Sequence, residues 1–141
     1  MKILNKRAKF DYRLFERFEA GISLTGGEVK AVKNGSVDLS RSYAKIIGDE
    51  VYLVNANIPV ADAKDHNSTR TRKLLLHKKE IFSIQSELKA KKLTLVPTKM
   101  YTKGRILKVE ITLAKTKRKF EKRQLIKKKD IEREVERELR K

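Results

Sequence analysis

Few residues in this chain could do acid–base chemistry. His66 and His77 could form a pair of the ribonuclease kind. They fall on a polar stretch and in a Lys-rich segment, and nothing in their spacing forces them together, so surface histidine is the better interpretation. The 141-residue chain has no cysteine, which excludes a thiolate zinc site, a cysteine nucleophile and a disulfide framework. We therefore expect no catalytic residue, no bound metal and no cofactor.

The common enzyme motifs are also missing from the sequence. There is no nucleophile elbow, P-loop or HExxH arrangement, and Gly26-Gly27 is too short to cradle a phosphate. Most carboxylates alternate with Lys and Arg, which indicates a salt-bridged surface. A nuclease using the two histidines is therefore the weakest of three functional hypotheses.

The charge balance points to a polyanionic partner. The chain holds 36 Lys and Arg against 18 Asp and Glu, a formal charge of +18. Nucleic acid is the first candidate for such a surface and an anionic membrane the second. No apolar run approaches the roughly 20 residues of a membrane-spanning helix, and the first residues lack the apolar region of a signal peptide. We expect a soluble, cytoplasmic protein.

The charge divides the chain into two parts. Residues 115–141 hold 13 basic and 6 acidic residues, a net charge of +7, which leaves +11 on residues 1–114. We predict a folded domain over 1–114 and a basic tail over 115–141. The tail should be disordered alone, because so charged a run cannot form a core. Ile131, Val135 and Leu139 recur every four residues, which predicts a helix once a partner holds it. With no aromatic anchor, the stripe does not favour a membrane.

The elements before the tail are mostly short strands. Alternating apolar residues predict a strand over Phe10–Leu24 with a bulge near Phe15, although a helix competes there. A short helix should follow over Glu28–Asn34 and end at Gly35. Hairpins are expected around Gly48-Asp49 and around Lys103-Gly104.

The polar stretch Asp62–Thr71 is expected to be a loop, and Lys73–Lys91 an amphipathic helix. Pro97 implies a sheet edge or a bulge. The count of about six strands and two or three short helices predicts a mainly β fold, a small antiparallel barrel or sandwich with a basic surface.

Two basic clusters are candidates for RNA contact. Arg70, Arg72 and Lys73 should sit where the loop enters the helix, where arginine forks and helix N–H groups both bind phosphate. A second cluster, Asn5-Lys6-Arg7, precedes Tyr12. RNA recognition often adds stacking on aromatic rings, so Tyr12 is a candidate stacker, with a core tyrosine as the alternative. Composition alone allows a non-specific RNA chaperone or ribosome-associated protein equally well.

An ordered set of motifs gives a more specific indication, and it covers nearly the whole chain. In sequence these motifs are Asn5-Lys6-Arg7-Ala8, Phe18–Ile22, Leu24–Lys30, Arg70–Leu76, Leu93–Pro97 and Lys122-Arg123. Together they resemble small protein B, the family of SsrA-binding proteins that partner tmRNA in bacterial ribosome rescue. Each motif alone is weak, but their order is specific.

The resemblance implies a fold and a function. The fold would be an OB-like barrel of antiparallel strands with flanking helices and a C-terminal tail. The barrel would bind the tRNA-like domain of tmRNA and help deliver alanyl-tmRNA, with elongation factor Tu and GTP, to stalled ribosomes. The tail would enter the small-subunit decoding centre and the empty mRNA channel. The family performs no chemistry itself, and we expect a monomer.

The resemblance also assigns residues. Glu19, Leu75 and Asn5 match tmRNA-interface positions of the family, and the two basic clusters with Tyr12 complete the candidate tmRNA surface. Leu75 would otherwise be read as a core residue. The full candidate surface is Asn5, Lys6, Arg7, Tyr12, Glu19, Arg70, Arg72, Lys73 and Leu75.

In the tail, the resemblance assigns the ribosome-binding residues Lys115, Lys117, Arg118, Phe120, Lys122 and Arg123. Thr116 replaces a family glycine, which stiffens the expected hinge, and Glu121 replaces an aspartate. Phe120 occupies the site where the family presents a ring that can stack on RNA. Ile131 stands where the family often has tryptophan.

Overall fold

The computed structural model of the chain describes residues 2–61, 65–117 and 119–139. These residues form seven strands and four helices. In chain order they are β1 (Lys2–Leu4), α1 (Lys6–Asp11), β2 (Tyr12–Ile22), α2 (Gly26–Lys33), β3 (Tyr43–Ile47), β4 (Glu50–Val54), β5 (Arg72–Leu75), α3 (Lys78–Lys91), β6 (Thr94–Lys103), β7 (Ile106–Thr116) and α4 (Lys119–Leu139).

The sheet closes on itself. Its strand order is β1-β6-β3-β4-β5-β2-β7, and β7 pairs back onto β6. Every pairing is antiparallel. Six strands therefore form a ring, which removes the free edges of those six strands, and β1 pairs with β6 outside the ring. The predicted mainly β, antiparallel, OB-like barrel is confirmed.

The core fills the ring with alternate strand residues. Val51 and Leu53 of β4 and Val109 and Ile111 of β7 are fully buried. Helix α3 closes over the core with Ile84. Because side chains alternate along a strand, the intervening residues face outward and form the outer face of the sheet.

The predicted strand over Phe10–Leu24 was wrong at its start. Residues Lys6–Asp11 are helical, and the strand begins at Tyr12. Asn5 caps this helix, since its side-chain oxygen accepts a hydrogen bond from the Ala8 N–H at 3.2 Å. The alternation of Phe10 with Tyr12 was misleading because it crosses the junction between the two elements. The bulge near Phe15 is confirmed, since the register shifts between Leu14 and Arg17.

The predicted helix over Lys73–Lys91 was wrong in its first turn. Strand β5 occupies Arg72–Leu75, and the helix begins only at Lys78. Arg72 and Leu74 point inward, whereas Lys73 and Leu75 point outward, which is the period of a strand. A run of three leucines has no periodicity of its own, so pairing with β4 and β2 decides the conformation. Before α4, the described residues form three helices and seven strands, where about six strands were predicted.

Glycines adopt positive φ at the three predicted turns. Gly35 follows α2 with φ of 78°, Gly48 turns the β3–β4 hairpin with φ of 63°, and Gly104 turns the β6–β7 hairpin with φ of 64°. The last turn is Gly104-Arg105 and not Lys103-Gly104. Pro97 sits at a bulge, as predicted. Of the predicted loop Asp62–Thr71, residues 62–64 lie outside the described part of the chain.

Candidate RNA interface

Two residues that are distant in sequence line one open groove. Glu19 lies on β2 and Leu75 at the end of β5, 56 positions later, and both border a groove of about 630 Å³. We call this the Glu19 groove. Its walls are Glu19, Gly21, Ile22, Leu75, Leu76, His77, Glu80, Ile106, Leu107 and Lys108. One groove thus combines an acceptor, a cation and an apolar surface, which suits a base edge, a phosphate and a sugar or base face.

Leu75 is a surface residue. Its side chain is 54% exposed, as is the neighbouring apolar Ile106 at 59%. Gly21 pairs with Leu75 across the strands. A Cβ at Gly21 would lie 3.2 Å from the Leu75 Cβ, so the missing side chain lets the leucine lie over β2. The sequence alone would place Leu75 in the core, because a leucine beside two leucines carries no sign of which one faces out.

The Glu19 carboxylate is held by two side chains of β6, the strand on the far side of β7. It accepts a short hydrogen bond from the Tyr101 hydroxyl, and the Lys103 Nζ lies 3.6 Å away. The hydrogen bond from Tyr101 is the main reason that the pKa of Glu19 is lowered. Burial and the hydrogen bond to Glu19 raise the pKa of Tyr101 to about 12. Glu19 is therefore a fixed, ionised acceptor at neutral pH.

Strand register arranges the outer face into rows. The first row is Leu75, Gly21, Lys108, Tyr101 and Lys2, on β5, β2, β7, β6 and β1. The second row is Glu19, Glu110, Lys99 and Leu4. Tyr101, Lys103 and Lys108 were missed in the sequence, although their alternation along the hairpin is the signal that marks an outward face.

Arg72 and Arg70 surround a buried carboxylate. Glu28 on α2 is fully buried, and its Oε2 lies 2.8 Å from the Arg72 Nε. The Arg72 guanidinium also donates to the backbone oxygens of Ala56 at 2.6 Å and Ser68 at 3.0 Å. Arg70, 35% exposed, donates to the other side of the same carboxylate.

This cluster changes the expectation for the Arg70–Lys73 segment. Arg72 is fully buried with its donors satisfied by protein atoms, so in this structure it presents nothing to a phosphate. It anchors β5, which presents Leu75 three residues later. Lys73 points outward and lies 3.3 Å from Glu50. The predicted position of these residues at a helix N-terminus was wrong, because they belong to β5 and the loop before it.

Acid should destabilise the protein through Glu28. Burial by itself would raise the pKa of Glu28, but hydrogen bonds from Arg70, the Thr25 N–H and Arg72 lower it from 4.5 to about 2. A carboxyl with a lowered pKa in the folded state stabilises the protein above pH 4.5, and this stabilisation is lost as pH falls toward 2. We expect the urea midpoint to drop between pH 4.5 and 2, and to drop less in a Glu28→Gln variant. An equal drop in both proteins would contradict this role for Glu28.

Only part of the cluster Asn5-Lys6-Arg7 is exposed at the surface. Asn5 is buried, and its Nδ2 donates to the backbone oxygens of Pro97 at 2.8 Å and Leu39 at 3.1 Å. Lys6 and Arg7 are exposed, with Arg7 paired to Asp11 at 3.2 Å. Tyr12 is half-buried against the cluster that contains Ala8 and Val96. This position favours a core tyrosine over an exposed ring on which a base could stack.

The first tail residues belong to the barrel. Lys115 and Thr116 are the last residues of β7 and pair with Arg13 and Tyr12. Lys117 donates from its backbone N–H to the Asp11 oxygen and from Nζ to the Lys9 oxygen, both at 2.9 Å.

Helix α4 follows over Lys119–Leu139. Arg123 on this helix is exposed. The predicted site residue Arg118 lies outside the described residues, as do the side chains of Phe120 and Lys122.

The two histidines have different surroundings. The His66 Nε2 lies 3.1 Å from the Ile58 oxygen and 3.8 Å from Glu28, whereas His77 precedes α3 and lines the Glu19 groove. Among the described residues, no cluster of three His, Asp or Glu could hold a metal ion.

None of the helices in the described part of the chain is long and apolar enough to cross a membrane.

Comparison with known proteins decides the family. The profile of the SmpB protein family matches residues 2–141. The chain belongs to the SmpB family. Two SsrA-binding proteins are similar to this chain over almost their full length. That of Deinococcus radiodurans is 50% identical, and the match covers 96% of this chain and 94% of the relative. That of Sulfurihydrogenibium is 48% identical, covering 94% and 89%.

A solved structure agrees with this SmpB assignment. A chain from the structure described as "tmRNA-SmpB: a journey to the center of the bacterial ribosome" is 39% identical to this one. It superposes with a TM-score of 0.69 and covers 84% of this chain and 85% of its own length.

Proposed function

We propose that this protein is an RNA-binding adaptor, without catalytic activity, that binds the tRNA-like domain of tmRNA. It would deliver alanyl-tmRNA, with elongation factor Tu and GTP, to stalled ribosomes in the cytoplasm for trans-translation. The support is membership of the SmpB family together with relatives named for SsrA binding. Within the chain, the observation that carries the proposal is that Glu19 and Leu75 meet in one groove.

The Glu19 groove explains how a basic protein can be selective. Net charge attracts every RNA equally, because phosphates are the same in all of them. A fixed carboxylate repels phosphate and accepts hydrogen bonds only from base N–H groups or a 2′-hydroxyl. An exposed leucine favours an unstacked base or sugar. We assign specificity to Glu19 and Leu75, and affinity to the lysines that surround them, Lys103 and Lys108.

The binding experiment compares two RNAs. The affinity for the tRNA-like domain and for an unrelated structured RNA would be measured by mobility shift over a range of salt concentrations. If about six phosphates are contacted, the log–log salt slope is expected near −4 to −5. Preference for the tRNA-like domain is the expected result. Equal affinity for both RNAs would contradict the proposal and favour a non-specific RNA chaperone.

Substitution of Glu19 should separate specificity from charge. Glu19→Gln keeps the shape but removes the ionised acceptor, so we expect about tenfold weaker binding of the tRNA-like domain. The salt slope should not change, because no phosphate contact is lost. Glu16→Gln on the same strand removes the same charge outside the groove and serves as the control. If only net charge mattered, both variants would bind the tRNA-like domain as tightly as the original protein or slightly more tightly, because each loses one negative charge; that result would contradict the role of Glu19.

A further inference from the structure

A second groove adjoins the Glu19 groove on the outer face. It has a volume of about 260 Å³, and it is lined by Lys2, Leu4, Lys9, Leu14, Phe15, Arg17, Thr98, Lys99, Glu110 and Thr112. We call it the Phe15 groove. Glu19 borders the first groove, whereas Glu110, Lys99 and Leu4 of the same row border the second. The two grooves therefore lie next to each other on the outer face, one bordered by Glu19 and the other by its cross-strand partner Glu110.

The bulge in β2 exposes apolar side chains at this groove. Consecutive strand residues normally face opposite sides of a sheet. Between the pairs Leu14–Ala114 and Arg17–Thr112 the register shifts, so Leu14 and Phe15 are both turned to solvent, 37% and 46% exposed. Bulges often redirect side chains toward a ligand. An aromatic ring is thus presented on a rigid strand.

The polar groups around Phe15 are mainly cationic. Lys2, Lys9, Arg17 and Lys99 line the groove with a single acid, Glu110. That acid is already engaged, with Lys99 at 3.3 Å, Arg17 at 4.0 Å and the Thr98 hydroxyl at 2.8 Å. The groove therefore offers a net positive field beside an exposed ring.

From these contacts we propose that the Phe15 groove binds an unpaired nucleotide of the same RNA. The base stacks on Phe15, and its flanking phosphates lie on Arg17 and the neighbouring lysines. A cationic rim with an aromatic platform is the combination that holds single-stranded nucleic acid. An acidic or apolar protein segment would use the charge or the apolar surface, but not the planar face of the ring.

The inference rests on the proposed function, and binding of the tRNA-like domain tests both. Phe15→Ala is expected to weaken binding by about 5- to 100-fold, the range of a base–aromatic stack. Phe15→Leu, which keeps an apolar side chain, should lose as much, and Phe15→Trp should bind at least as tightly as the original protein. Phe82→Ala is the matched control, because Phe82 is 72% exposed on α3 and lines neither groove.

The outcomes separate the two proposals. If the unaltered protein does not prefer the tRNA-like domain, the proposed function fails. If it does, and Phe15→Ala binds as tightly as Phe82→Ala, only the Phe15 inference fails. Binding that is retained in Phe15→Leu but lost in Phe15→Ala would overturn stacking in favour of an apolar contact.

A direct probe needs no substitution. Ultraviolet irradiation of the protein with the tRNA-like domain, followed by mass spectrometry, should yield a peptide cross-linked at Phe15. A cross-link map that includes residues of the Glu19 groove but not Phe15 would overturn the inference and leave the proposed function standing.

Discussion

Replacing Arg72 with methionine is expected to lower the free energy of unfolding by about 3–5 kcal/mol, the cost of removing one partner of a buried ion pair. The guanidinium donates to Glu28 and to two backbone oxygens. Methionine fills similar space but leaves these acceptors buried and unsatisfied. Arg70 would remain beside Glu28, so part of the compensation survives. Urea denaturation followed by circular dichroism measures the change.

The adjacent residue provides the control. Lys73→Met removes one partner of an ion pair whose side chains are 46% and 44% exposed. Exposed pairs contribute about 0–1 kcal/mol, so this variant should be almost as stable as the original protein. The two substitutions lie on the same strand and both remove a cation. Similar stabilities for Arg72→Met and Lys73→Met would contradict the structural role of Arg72.

A combined variant tests the origin of the loss. If Arg72→Met is destabilising because a carboxylate remains buried, then Glu28→Met together with Arg72→Met should cost less than the sum of the single changes. Additive losses would mean that the two side chains act independently. Since β5 carries both Arg72 and Leu75, loss of the ion pair should also weaken RNA binding.

The sequence predicted those parts of the fold that local chemistry determines. Gly35, Gly48 and Gly104 adopt positive φ where turns were expected, because glycine tolerates that conformation better than any other residue. The bulges near Phe15 and Pro97 also followed from local sequence. Strand β5 could not be predicted in this way, because its leucine run fits a helix or a strand until β2 and β4 pair with it.

The same distinction between local sequence and tertiary structure applies to the candidate site. Glu19 and Leu75 could be chosen only through resemblance to a family, since an acid and a leucine are not typical of a basic surface. Arg72 had the residue type of a phosphate ligand, but burial against Glu28 is a tertiary property that sequence patterns do not carry. Arg17 and Phe15 became visible as one surface only when the register of β2 against β7 was known.

Deleting residues 118–141 is expected to leave binding of the tRNA-like domain largely intact and to abolish peptide tagging on stalled ribosomes. A truncation after residue 117 separates the barrel from the tail better than one before residue 115. Lys115 and Thr116 pair with β2, and Lys117 bonds to the Asp11 and Lys9 oxygens. A cut that removes them would disturb the barrel itself and confuse the two functions.

The charge of the tail alone is the alternative explanation for a loss of peptide tagging, and it can be tested separately. The deleted segment carries 11 basic and 6 acidic residues, so any tail of that composition would attract ribosomal RNA. A variant with residues 118–141 in scrambled order keeps this charge but loses the stripe formed by Ile131 and Val135, which are 60% and 51% exposed. Peptide tagging should be absent in this scrambled variant, as it is in the truncated protein. Recovery of tagging would show that the tail acts through charge alone, and loss of tmRNA binding on truncation would show that barrel and tail hold one RNA together.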